Sequence, residues 1–127
     1  MKIHRLALAS FLLLVVLAVG AVAAHALYDA SDAKGASIQI VKPADHANLD
    51  SDEAYPLDYQ IVLGPGSDHF HVWVDAERGP GIHDLKGTYM LPKMTPGQHV
   101  ITIKQVDKGH VPTGPQKSIT VNVVKAK

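Results

Sequence analysis

The feature that most constrains this chain is a two-residue rhythm, clearest in Asp68-His69-Phe70-His71-Val72-Trp73-Val74-Asp75. Successive side chains of a strand point to opposite faces. Phe70, Val72 and Val74 therefore share one face, and His69, His71, Trp73 and Asp75 the other. The apolar set anchors a core. The second set places two imidazoles side by side next to an indole.

The same alternation recurs along the chain, broken by Pro and Gly turns. Ser37-Ile38-Gln39-Ile40-Val41 reads as a short strand stopped by Lys42-Pro43. Residues 45–53 are rich in Asp, Asn and Ser and read as a loop with a small paired segment at its end. Residues 55–63 form the next strand, with Leu57, Tyr59, Ile61 and Leu63 on one face, ended by Gly64-Pro65-Gly66. Residues 77–85 contain Gly79-Pro80-Gly81 and are expected as a loop; residues 87–91 are a short strand before Pro92. Thr95-Pro96-Gly97 is a tight turn. Residues 98–106 alternate, with His99, Ile101 and Ile103 together; residues 107–115 read as a loop and 117–124 as the last strand.

This spacing predicts an all-β fold: a single immunoglobulin-like antiparallel β-sandwich of six to seven strands over residues 37–125. The expected core is Ile38, Ile40, Leu57, Tyr59, Ile61, Phe70, Val72, Val74, Tyr89, Leu91, Ile101, Ile103, Ile119, Val121 and Val123.

Residues 1–26 read as a signal peptide. Lys2 and Arg5 give a positive start, residues 6–19 an apolar run, and Ala24-His25-Ala26 an A-x-A cleavage site. An uncleaved anchor is the competing reading, and in that case the leader is the chain's sole membrane contact. Residues 27–36 are a small, polar lead-in. Either reading exports the domain, to the periplasm or outside the cell. Cleavage after Ala24 would leave His25 as the new N-terminus.

Composition narrows the function classes. The 12 Lys and Arg balance 12 Asp and Glu, and with Lys2 and Arg5 in the leader the remainder is slightly acidic. No basic stripe grips a phosphate backbone, so nucleic acid is not an expected partner. Cysteine is absent, which excludes disulfides and thiolate ligands. No G-x-S-x-G, cysteine nucleophile or H-E-x-x-H occurs, so the expectation is a non-catalytic protein.

Histidine is in excess, with seven of the eight at or beyond His25. Imidazoles at i and i+2 of a strand lie about 6.6–6.8 Å apart along it and can converge on one ion. Neutral imidazole suits copper or zinc. The expected metal ligands are His69 and His71, with His83 or His110 nearby; Asp84 and His25 are further options. Asp68 or Asp75 would orient a ring. The alternative is an exposed polar face carrying two histidines. His99 is expected buried, bonded to a loop carbonyl, with His110 packed near it. Trp73 offers a rival use, a metal-free face for an envelope protein or a glycan, unless it merely covers the sheet.

Gly97-Gln98-His99, followed by Asp107, His110 and Pro112, resembles the G-x-H … D-x-x-H-x-P ending of an uncharacterised family of exported bacterial immunoglobulin-like domains. His69-x-His71 is similar to that family's H-x-H strand. The resemblance implies the fold and export, and no activity. A looser likeness is to copper-resistance β-sandwich proteins, in which His25 alone would fill the role of N-terminal histidine; their Met-rich copper motif is absent here.

Overall fold

The structure, a computed structural model, describes residues 35–127. The signal peptide, most of the lead-in and His25 lie outside the described residues. Eight strands follow in order: β1 Ser37–Lys42, β2 Asn48–Asp50, β3 Pro56–Val62, β4 His69–Val74, β5 Glu77–Ile82, β6 Lys86–Met90, β7 Gly97–Val106 and β8 Pro112–Val124. They form two sheets, β1-β3-β6 and β2-β8-β7-β4-β5. This is the immunoglobulin-like sandwich that the alternation predicts, with eight strands among the described residues where six to seven were expected, because the short segments β2 and β5 pair at the edges of the larger sheet.

The core lies between the sheets. Phe70 and Val72 of β4, Ile101 and Ile103 of β7, and Val121 and Val123 of β8 face Ile38 of β1 and Leu57, Tyr59 and Ile61 of β3. Tyr59 meets Phe70 edge to face, with ring centroids 5.0 Å apart. Ile40, Val74 and Tyr89 pack at the rim and are only partly buried.

Three expectations need correction, and in each case pairing decides. Residues 77–85 are not a loop throughout, because β5 pairs with β4 as an edge strand. Pro80 is tolerated there because an edge strand and a bulge each leave a ladder N–H unneeded. His71 opposes Gly81 and Trp73 opposes Arg78, so Val72 alone faces Gly79 and Pro80. The last strand begins at Pro112 rather than 117, since β8 follows β7 back to Val106. The sandwich is also not wholly antiparallel: β2 pairs parallel with β8 and buries Leu49.

Alternation on β7 continues to Gln105, which is fully buried. Its Oε1 accepts from Gly64 N–H at 2.8 Å and its Nε2 donates to Val62 C=O at 2.9 Å. A buried amide is tolerable with its polar atoms so paired. The link ties the end of β3 in one sheet to β7 in the other.

Candidate metal centre

His69 and His71 project from the outer face of the five-stranded sheet, yet each is only 3% exposed. They are not an exposed polar face. Strand β5 closes over one side. A Cβ at Gly81 would stand 3.2 Å from His69 Nε2 and 3.5 Å from His71 Cε1, so the rings fit because position 81 has no side chain.

His110 arrives from the β7–β8 connection. Strand β7 lies beside β4 with Val106 opposite His69, so the chain leaving β7 starts at the histidine end of β4. Asp107 then closes a tight loop. Its Oδ1 accepts from Gly109 N–H at 2.8 Å and Val111 N–H at 3.0 Å, and its backbone N–H donates to Val111 C=O at 2.9 Å. His110 takes a left-handed conformation with φ 64°, which a non-glycine residue adopts at a cost that the surrounding bonds must offset. The loop aims its ring back at β4. His110 therefore does not pack near His99, contrary to expectation.

Three ring nitrogens meet as a result. His69 Nε2 is 3.3 Å from His71 Nε2 and 3.1 Å from His110 Nδ1, and His71 Nε2 is 2.9 Å from His110 Nδ1. The opposite nitrogens of the two β4 rings are engaged. His69 Nδ1 donates to Asp68 Oδ2 at 2.9 Å, and His71 Nδ1 donates to Gly79 C=O at 2.8 Å. These acceptors assign the proton of each neutral ring to Nδ1. Both Nε2 atoms then present lone pairs to one point.

Such lone pairs repel unless something electron-poor lies between them. One N–H on His110 Nδ1, shared by both, satisfies the site without an ion. A metal ion satisfies all three nitrogens together. A triangle with these sides has a circumradius of about 1.8 Å, slightly less than the roughly 2.0–2.1 Å of a zinc–imidazole bond. The three nitrogens therefore stand close enough together for one ion to be held by all of them.

Electrostatics favour a neutral His71. Burial is the main cause that lowers the pKa of His71, with the charges of Arg78, His69 and His110 adding to it against the Gly79 hydrogen bond. Asp68 is held below the usual carboxylate range chiefly by its hydrogen bond from His69, with smaller help from His83 and Lys108.

His83 does not join the three. It stacks on the ring of His69, centroids 4.7 Å apart, with its Nδ1 3.9 Å from Asp68 Oδ2. Asp75 and His99 form a separate pair at the other end of β4. His99 Nδ1 donates to Asp75 Oδ2 at 2.7 Å, and its Nε2 donates to Thr95 C=O at 2.6 Å. Two acceptors require both ring protons, and the pKa of His99 is raised, first by Asp75 and then by Thr95. A groove of about 430 Å³ bordered by Met94 and His99 lies beside this pair and not at the histidine triad. Sequence reasoning missed Gly79 and Gly81 as parts of the site. Their only signal was a Gly-Pro-Gly run directly after the H-x-H strand.

Trp73 lies on the outer face with the Lys104 ammonium 4.6 Å from its ring centroid. Its Nε1 is buried and makes no hydrogen bond.

No protein-family model matches the chain, and no curated protein matches it. Solved structures do. The fibronectin(III)-like modules of Clostridium thermocellum CbhA are similar over 71% of this chain and 99% of theirs, at 16% identity and a TM-score of 0.56. The extracellular domain of a B. thetaiotaomicron protein is similar over 67% of this chain and 12% of its own, at 10% identity and a TM-score of 0.46. A lytic polysaccharide monooxygenase of Jonesia denitrificans is similar over 67% of this chain and 61% of its own, at 15% identity and a TM-score of 0.41. The CbhA likeness supports the sandwich fold. Among the described residues, no helix is long and apolar enough to cross a membrane.

Proposed function

We propose that this protein is an exported, non-catalytic module that binds a transition-metal ion, copper or zinc, through His69, His71 and His110. The observation that carries this reading is the convergence of three imidazole nitrogens within 2.9–3.3 Å of one another. Two of those rings have their tautomer fixed from behind, by Asp68 and by Gly79. Second partners of this kind are the usual companions of metal-bound histidine. An all-nitrogen set suits copper and zinc, whereas calcium and magnesium prefer oxygen.

Export to the periplasm or cell exterior rests on the leader sequence, and membership of the uncharacterised exported family rests on His69, His71, His99, Asp107, His110 and Pro112. The rival reading, a metal-free face for an envelope protein or glycan at Trp73, is less favoured because Lys104 already lies over that ring.

The test is metal analysis and titration of untagged protein, with the His69→Ala/His71→Ala double variant beside it. Wild type should take up one copper or zinc ion per chain and the variant none at the same concentration. Equal, weak binding by both proteins would refute the metal reading.

A further inference from the structure

The triad buries two of its three donor side chains, and an ion has to reach them from water. One neighbouring donor pair is open to that water. The His83 side chain, just beyond β5, is 71% exposed and lies against the His69 ring with 30° between the planes. Its Nδ1 is 3.9 Å from the Asp68 oxygen that also receives the His69 Nδ1 proton. The ligand atoms of Asp68, His69 and His83 all fall within 4.8 Å of one another.

His69 cannot serve two ions while its Nδ1 keeps that proton. What remains beside it is one carboxylate oxygen and one exposed imidazole. Two protein ligands, with water filling the other positions, hold an ion weakly and release it readily.

We infer that Asp68 and His83 form an outer cation station, which captures a divalent transition-metal ion and passes it across the His69 ring to the triad. The inference rests on the triad being a metal site. Asp68 supplies a negative charge at the rim of a low-dielectric patch, which concentrates cations there. The Lys108 ammonium acts on the same carboxylate and opposes that attraction. A station on the path speeds arrival and departure alike, and so leaves the affinity of the final site unchanged. A fourth ligand of the bound ion would do the opposite, changing affinity through the dissociation rate.

Stopped-flow binding and chelator-competition release of Zn²⁺ and Co²⁺ separate these cases in wild type, His83→Gln, Lys108→Gln and His71→Ala proteins. His83 is exposed, so its replacement leaves the core intact, which circular dichroism checks. Association and dissociation rates in His83→Gln should fall together by about tenfold, as one of the two ligands of the station is lost, with Kd within about twofold. Lys108→Gln should raise the association rate, because a charge that repels the incoming cation is gone. Unchanged association in His83→Gln, or a change in one of that variant's rates that the other does not follow, overturns the station. If wild type binds neither ion, or His71→Ala binds like wild type, the triad reading falls first and the station with it.

Discussion

Replacing Gly81 with Ala tests the site without touching a ligand. The added Cβ would stand 3.1 Å from His69 Cδ2, 3.2 Å from His69 Nε2 and 3.5 Å from His71 Cε1. Carbon contacts settle at about 3.5–4.0 Å, so the His69 ring has to retreat by roughly 0.4 Å. It has little freedom to do so, being 3% exposed and held by Asp68 at 2.9 Å. Metal–ligand distances tolerate about 0.2 Å, so the retreat exceeds what one ion bound to three nitrogens accepts. Gly81 is not among the residues with positive φ, so alanine fits its backbone. Lower unfolded-state entropy then contributes about 0.4–1 kcal/mol, which offsets part of the crowding. The metal-free variant should therefore match wild type within about 1 kcal/mol in urea unfolding, while zinc affinity falls about tenfold, or about 1.4 kcal/mol. Isothermal titration against the folded variant reads the second quantity. A variant that folds normally and keeps wild-type affinity within twofold would show that the His69 ring position does not set metal binding.

Two further outcomes test the scaffold. Gln105→Leu leaves the buried Gly64 N–H without its acceptor and should cost about 1–3 kcal/mol in urea unfolding; a neutral result would mean that water reaches this N–H. His99 has a raised pKa in the folded state, so its contribution is complete below about pH 6.5, the unfolded value, and is lost as pH rises through the folded value. Unfolding free energy of metal-free wild type should thus decline above about pH 6.5, and His99→Gln should flatten that decline. His71 has a lowered folded pKa, so its effect is confined to the acid side of the same value.

Local pattern carried a large part of this structure. The run from His69 to Val74 reads as a strand with an apolar inner face, and the structure has Phe70 and Val72 in the core. His69 and His71 share the other face by the same period of two. Residues such as Leu49, Met94 and Gln105 were not legible as buried. Leu49 is placed by a parallel pairing with a strand more than seventy residues later, and Gln105 by a gap that only the approach of the two sheets creates. Strand β5 was hidden because Gly and Pro signal turns locally, whereas an edge position beside β4 overrides that signal.

The sequence by itself determined most of the strands, the sandwich they build and the placing of two imidazoles on one side of β4, because these follow from a repeat between near neighbours. The tertiary structure alone decided which distant histidine joins them. His83 and His110, with Asp84 and His25 behind them, were all open in sequence as the third ligand, and β7 lying against β4 delivers His110 to the His69 end while leaving His99 at the Asp75 end. The protons of the two β4 rings are also a tertiary matter, since the bulge in β5 accompanies the Gly79 carbonyl that receives one of them. A ligand set is a point in space, and a linear pattern fixes only directions.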